Sequence, residues 1–139
     1  KGQFNNVIFL DVLKDSQTLI TATPNKIVSI STKEILAKEY EIRDVIVNGE
    51  FVYVATIDGQ IIKLTSSLVE VAKKKYQYSK INALAYTDSL YAIESQGYII
   101  NIDEEFVRDE IYEFDFNNED RLIVIDKKVY FDEDYITLP

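Results

Sequence analysis

Apolar and polar positions in this chain recur in a fixed order. Phe51-Val-Tyr-Val-Ala-Thr56 and Ile61-Ile-Lys-Leu64 flank Asp58-Gly59. Short runs of β-branched and aromatic residues around such a pair predict a β-hairpin. Two further segments align with Val52–Thr65 without gaps, Thr18–Ser31 and Leu90–Asp103. Their apolar residues fall at the same places. The corresponding turn pairs are Pro24-Asn25 and Gln96-Gly97. Asn and Gly tolerate the positive φ that a two-residue hairpin requires, so all three are expected to be tight turns.

Each hairpin has an apolar run before it: Val7–Leu13, Val45–Val47 and Ile81–Tyr86. Each has a more polar, alternating run after it: Glu34–Tyr40, Leu68–Tyr76 and Phe106–Phe114. The repeat is therefore a four-stranded unit, with strands a, b, c and d. Anchors Leu10, Val45, Leu84 and Leu122 lie 35, 39 and 38 residues apart. A fourth copy opens at Asp115-Phe-Asn-Asn118, which echoes Phe4-Asn-Asn6. It continues with strand a at Arg121–Asp126, strand b at Val129–Phe131 and a turn at Asp132-Glu-Asp134. Tyr135–Leu138 begins strand c, and no strand d follows. One domain is expected over 1–139, with repeats at 4–40, 41–77, 78–114 and an incomplete one at 115–139.

The gradient within a unit predicts its layering. Strands a and b are apolar on both faces, as inner strands buried on both sides should be. Strand d carries charge, so it is expected at a half-exposed edge. Lys73-Lys-Lys75 would blunt such an edge against aggregation. Phe106–Phe114 lacks a clean helical period and reads as a strand by analogy with the other units.

Composition narrows the function classes. Ten Tyr, seven Phe and abundant Ile and Val favour β structure, and only four Gly and two Pro leave most turns to Asn, Asp and Ser. No apolar run reaches the length of a membrane-spanning helix. There is no Cys, hence no disulfide and no thiol chemistry. There is no His, hence no imidazole base or metal ligand. The chain also has no Met and begins at Lys1, which fits a processed product or a piece of a longer chain.

The formal charge of −9 argues against nucleic acid or an anionic membrane as partner. Residues 1–102 hold eleven acidic and eleven basic side chains, whereas residues 103–139 hold thirteen and four. The acidic stretch reads as a solvated rim, with docking of a basic partner as the sharper alternative. Asp103-Glu-Glu105 and Asp132-Glu-Asp134 lack the spacing of a calcium loop and read as polar turns. No phosphate-binding glycine loop or nucleophile elbow is present.

Four-stranded units repeated at roughly 35–45 residues predict blades of a β-propeller. The hairpin Val52-Tyr-Val-Ala-Thr-Ile-Asp-Gly59 with Ile61-Ile-Lys-Leu64 resembles the repeat of the quinoprotein (PQQ-like) propellers, within the wider WD40-like superfamily. Leu90-Tyr-Ala and Gln96-Gly97 match it less closely, and the first copy lacks the turn Gly. The family's strand d usually ends in Trp. This chain has none, and Tyr40, Tyr76 and Phe114 stand at that place. The quinone, calcium and paired cysteines of the family's enzymes map onto no residues here, and the Gly-His and Trp-Asp pairs of WD40 repeats are also missing. The resemblance implies an all-β fold of about three and a half antiparallel blades, part of a larger propeller; no cofactor and no metal are expected, because the groups that the family's enzymes use map onto no residues here.

In a propeller the b–c turns and the d–a links share one face, and loops on a rigid scaffold are where binding resides. That face would present Asn25, Lys26, Arg43, Asp44, Asp58, Gln60, Gln96, Tyr98, Asn117 and Asn118. The expected function is a non-catalytic module for protein–protein interaction or assembly in a bacterial envelope, located in the periplasm. Two alternatives stand beside it. One is an accessory factor of a periplasmic redox enzyme of the nitrate reductase type, and the other is a quinone- or sugar-handling propeller enzyme. An open inner edge would favour self-association or pairing with missing blades.

Overall fold

The computed structural model describes residues 8–13, 17–76, 81–94, 98–106, 109–113, 123–131 and 134–138. These residues form strands and turns only. They belong to two compact units, Lys1–Ser79 and Lys80–Pro139.

The first unit holds two antiparallel four-stranded meanders. Blade 1 comprises β1 (Phe9–Val12), β2 (Leu19–Thr23), β3 (Lys26–Ile30) and β4 (Ile35–Glu39). Blade 2 comprises β5 (Ile42–Asn48), β6 (Phe51–Thr56), β7 (Gln60–Leu64) and β8 (Glu70–Lys75). One core joins them. Ile20, Ala22 and Ile27 from one face of blade 1 pack against Val45, Val52, Val54, Ile62 and Leu64 from the facing side of blade 2. Period-two alternation puts each set on a single face. The Ser29 hydroxyl donates to the Ser66 carbonyl at 2.6 Å and ties the two sheets together.

The second unit repeats the pattern. Blade 3 comprises β9 (Ile81–Tyr86), β10 (Leu90–Glu94), β11 (Tyr98–Ile102) and β12 (Asp109–Glu113), in meander order. A three-stranded sheet follows, from β13 (Ile123–Ile125), β14 (Lys128–Phe131) and β15 (Asp134–Thr137). Tyr91, Ile93 and Ile99 of blade 3 pack against Val129 and Leu138 of that sheet.

The strands agree closely with those expected, but four local expectations change. First, β1 is not buried on both sides, since Leu10 is 64% and Val12 47% exposed. The b strands carry the deepest burial instead: five of the six residues of β6 and all five of β10 are buried. Second, Asp58-Gly59 is not a two-residue turn. Ala55 pairs with Ile61, Gly59 N–H bonds the Thr56 carbonyl at 3.2 Å, and Gly59 has φ +88°. Ile57-Asp58-Gly59 is therefore a three-residue connection, a turn followed by a left-handed residue. Third, Pro24-Asn25 is a two-residue connection, with Thr23 opposite Lys26, but Asn25 keeps a negative φ. Fourth, Asp134 opens β15 instead of closing the turn before it.

Strand d begins later than the sequence suggests. Leu68 and Phe106 adopt φ +61° and +59°, and both are buried. Leu68 N–H bonds the Thr65 carbonyl, and Phe106 N–H bonds the Asp103 carbonyl, at 2.9 and 3.1 Å. Thr65–Leu68 and Asp103–Phe106 are thus equivalent c–d turns, each plugging an apolar side chain into the core. This gives Asp103-Glu-Glu105 its structural role. Asp132 and Glu133 lie outside the described residues.

Candidate partner-binding site

The site is built on two hairpin turns and the link between blades 1 and 2. Tyr40 N–H donates to the Asn25 carbonyl at 3.1 Å, and Ile42 N–H to the Pro24 carbonyl at 2.8 Å. On the other side, Ile57 N–H donates to the Glu41 carbonyl at 2.9 Å. The segment Tyr40-Glu41-Ile42 is therefore clamped between the turn of blade 1 and the turn of blade 2. Main-chain bonds of this kind fix a surface without committing its side chains. They leave an open cleft of about 380 Å³ lined by Asn25, Lys26, Glu39, Tyr40 and Glu41.

The clamp has a repeat partner. Tyr76 N–H donates to the Gly59 carbonyl at 2.9 Å, as Tyr40 does to Asn25. Lys38 lies 5.7 Å from the Tyr40 ring and Lys74 5.4 Å from the Tyr76 ring. Lys-x-Tyr thus closes strand d in both blades, with the tyrosine backbone tied to its own blade's turn. These are the two tyrosines expected where related propellers carry Trp. Phe114 lies outside the described residues.

Electrostatics fixes the charge state around the cleft. The Tyr40 hydroxyl donates to Glu70 at 2.6 Å. Burial, followed by that bond and the carboxylate's charge, pushes the phenol well above its ordinary range. The same bond, with Lys38 and Lys73 each 3.6 Å away, holds the Glu70 carboxyl below its usual value. In the second turn, Asp58 accepts a short hydrogen bond from the Thr56 hydroxyl and one from Gln60 Nε2 at 3.0 Å. Those two bonds, with Lys75 4.0 Å away, lower its pKa. Gln60 N–H in turn bonds Thr56 Oγ1 at 3.0 Å. Asp58 is a carboxylate at neutral pH with a fixed direction.

The expected face divides as follows. Asn25 and Lys26 line the cleft, and Asp58 and Gln60 form the neighbouring turn. Arg43 is the extra residue where the β5–β6 register shifts between Ile42 and Asp44, and it is exposed. Such a bulge re-aims a side chain. Asp44 is half-buried, and its carboxylate accepts Val45 N–H at 2.9 Å. Tyr98 opens β11 in the second unit, half-buried and opposite Glu113. Gln96, Asn117 and Asn118 lie outside the described residues. Sequence reasoning missed Glu39 and Glu41 as site residues and gave Tyr40 only a packing role. The recurrence of Lys38-Glu-Tyr40 and Lys74-Lys-Tyr76 at one offset was the available signal.

The arrangement offers carbonyls, a primary amide, one ammonium, two carboxylates and a tyrosine, a set suited to a polar polypeptide segment. Among the described residues, no three acidic side chains are grouped to hold a metal ion.

No protein-family model matches the chain. It is similar to the plasminogen-binding protein PgbB of Helicobacter pylori. The two are 29% identical over 145 residues for strain J99 and 29% over 144 for strain 26695. Each alignment covers 96% of this chain and 26% of the relative, so the chain spans about a quarter of the length of the curated relatives it matches.

Among solved structures, the WD40 repeats of RRP9 superpose with a TM-score of 0.65 at 12% identity, over 88% of this chain and 42% of theirs. The β-propeller domain of Myceliophteria thermophila Cps50 (Swd1) gives 0.62 at 7% identity, over 81% and 40%. The four-stranded sheets have the form of β-propeller blades. At these identities the likeness is one of fold. Among the described residues, no helix is long and apolar enough to cross a membrane.

Proposed function

We propose that the chain is a non-catalytic protein-binding module of the bacterial envelope. Its binding face is the cleft between the Pro24-Asn25 turn and the Glu39–Glu41 link, extended by the Ile57–Gln60 turn. The clamp of main-chain bonds on both sides of Glu41 carries this reading. It presents Asn25, Lys26, Glu39 and Glu41 from a rigid frame, and rigid loops lose little entropy on binding. The relatives' name, plasminogen-binding protein, supports a protein partner and an exported location, and makes plasminogen the first probe. The quinoprotein-like hairpin at Val52–Leu64 supports the same class, since non-catalytic members of that family act in assembly.

Interferometry with immobilised chain and soluble plasminogen tests the proposal. Saturable binding is expected, weakened at least about tenfold by the charge reversals Lys26→Glu and Glu41→Lys, in line with opposed charge at a docking surface. No binding by the folded chain, or equal binding by both variants, sinks the reading.

A further inference from the structure

β8 is the outer strand of blade 2, and no strand among the described residues pairs with its far side. The register fixes which main-chain groups that side presents. Tyr76 N–H bonds the Gly59 carbonyl, and Gln60 pairs with Lys75, Ile61 with Lys74 and Ile62 with Lys73. Main-chain polar groups of an antiparallel strand point alternately to one side and the other. Lys74 therefore turns its amide toward β7, as Tyr76 does, and Lys73 and Lys75 turn theirs outward. The same period sets the Lys73 and Lys75 side chains on one face of the sheet, where they are 52% and 66% exposed. Outward N–H groups and two ammonium groups thus stand in line along about 7 Å of strand.

Charge on an unpaired edge resists pairing with further copies. β8 carries more than that purpose needs. Its sequence Glu70-Val-Ala-Lys-Lys-Lys75 holds three lysines against one glutamate, and that glutamate is already held by Lys38, Lys73 and the Tyr40 hydroxyl. The equivalent edges differ. β4 holds one lysine and one glutamate, and β12 holds three acidic residues and no basic one. Beside the lysines, Val69 and Val71 are 56% and 51% exposed. Val71 is the extra residue where the β7–β8 register shifts. Exposed aliphatic side chains next to outward pairing groups work against blunting and favour an added strand.

We infer that β8 accepts an acidic, extended segment of a partner polypeptide as a fifth strand of blade 2. Main-chain bonds at Lys73 and Lys75 hold the segment, as in other cases of strand addition. Side chains select it. Acidic residues two apart lie beside Lys73 and Lys75, and an aliphatic residue covers Val71. A basic segment is turned away by like charge. Both the strand order and the charge belong to one sheet of the first unit. The inference is independent of the cleft, which none of Val69, Val71, Lys73 and Lys75 lines.

Nuclear magnetic resonance of the chain with a capped seven-residue peptide alternating glutamate and valine tests it. Saturable binding is expected, with hydrogen exchange slowed at least about tenfold at the Lys73 and Lys75 amides, which the added strand would bond. The amides of Lys74 and Tyr76, already turned toward β7, should change little. The double variant Lys73→Gln, Lys75→Gln should weaken binding about tenfold, with an unchanged circular dichroism spectrum. Lys33→Gln, at an exposed turn of blade 1, should leave binding as it is. A peptide alternating lysine and valine should not bind. No binding of the glutamate peptide at about 1 mM overturns the inference. So does binding that leaves the Lys73 and Lys75 amides unprotected, because the lysines then attract charge alone. Equal binding of the lysine peptide also counts against it.

Discussion

The Tyr40 hydroxyl reaches Glu70 across 2.6 Å and binds the end of blade 1 to the start of the last strand of blade 2. Thirty residues separate the pair in sequence. Lys38 and Lys73 hold the carboxylate from either side. The tyrosine whose backbone closes the cleft therefore also has its ring anchored across the blade interface, so the cleft and the interface are mechanically one feature.

Tyr40→Phe keeps the ring and removes the bond. A hydrogen bond to a charged group contributes more than a neutral one, but this one is partly solvated. A loss of about 1 kcal/mol is expected, or about 3 °C in Tm for a chain of this size. Urea melts of Tyr40→Phe, Glu70→Gln and the double variant check this. Additive losses in the double variant would show that the two residues are not coupled.

Acid should weaken the fold through two carboxylates. Glu70 and Asp58 both titrate below their ordinary values of 4.5 and 3.8 in the folded state. A lowered folded pKa gives stabilisation that is complete above the unfolded value and lost as pH falls through the folded one. The stability gap between wild type and Glu70→Gln or Asp58→Asn should therefore be full at pH 7 and shrink below about pH 4. Because hydrogen bonds are the leading cause at both sites, the gap should survive 1 M salt, where pure surface charge pairing is screened. A gap that is constant from pH 7 to pH 3 would refute the assignment.

Gly59 occupies a backbone conformation that side chains resist, at φ +88°. Its carbonyl also receives Tyr76 N–H. Gly59→Ala should cost about 1–2 kcal/mol, and Gly59→Asn distinctly less, because Asn tolerates the left-handed region. Chemical denaturation of the two variants separates this backbone effect from side-chain crowding. Equal losses would mean that crowding dominates.

Much of the fold was legible because the repeat is written in strand-length apolar runs. The runs around Val52, Leu90 and Val129 fall in strands for the reason the pattern suggests: the b strand is central, so both its faces need apolar side chains. What was not legible depended on neighbours. Leu10 and Val45 look alike in sequence, but among the described residues only Val45 has a blade packed over it, so Val45 is buried and Leu10 exposed. Gapless alignment hid the difference between the two turns. Pro24 holds φ negative and leads into a two-residue connection, while Gly59 allows a left-handed third residue. The cleft residues were half legible. Asn25 and Lys26 follow from turn position, whereas Glu39 and Glu41 enter only through the hydrogen bonds that clamp the link.

Leu68 gives the sharpest test of the c–d turn. At φ +61° a leucine is strained, and nothing in its composition signals such a site. Its side chain is 5% exposed, within the core shared by blades 1 and 2. Two effects then oppose each other in Leu68→Gly. Relief of the left-handed strain stabilises by about 1 kcal/mol, and loss of a buried leucine costs about 3 kcal/mol. Packing should win, leaving the variant about 2 kcal/mol less stable. Leu68→Ala keeps the strain and loses most of the packing, so it should be worse than Leu68→Gly. That order reverses the usual ranking of the two residues within a strand. Denaturant midpoints for the pair decide it. If Leu68→Ala proves the more stable, the turn is not held in the left-handed conformation in solution.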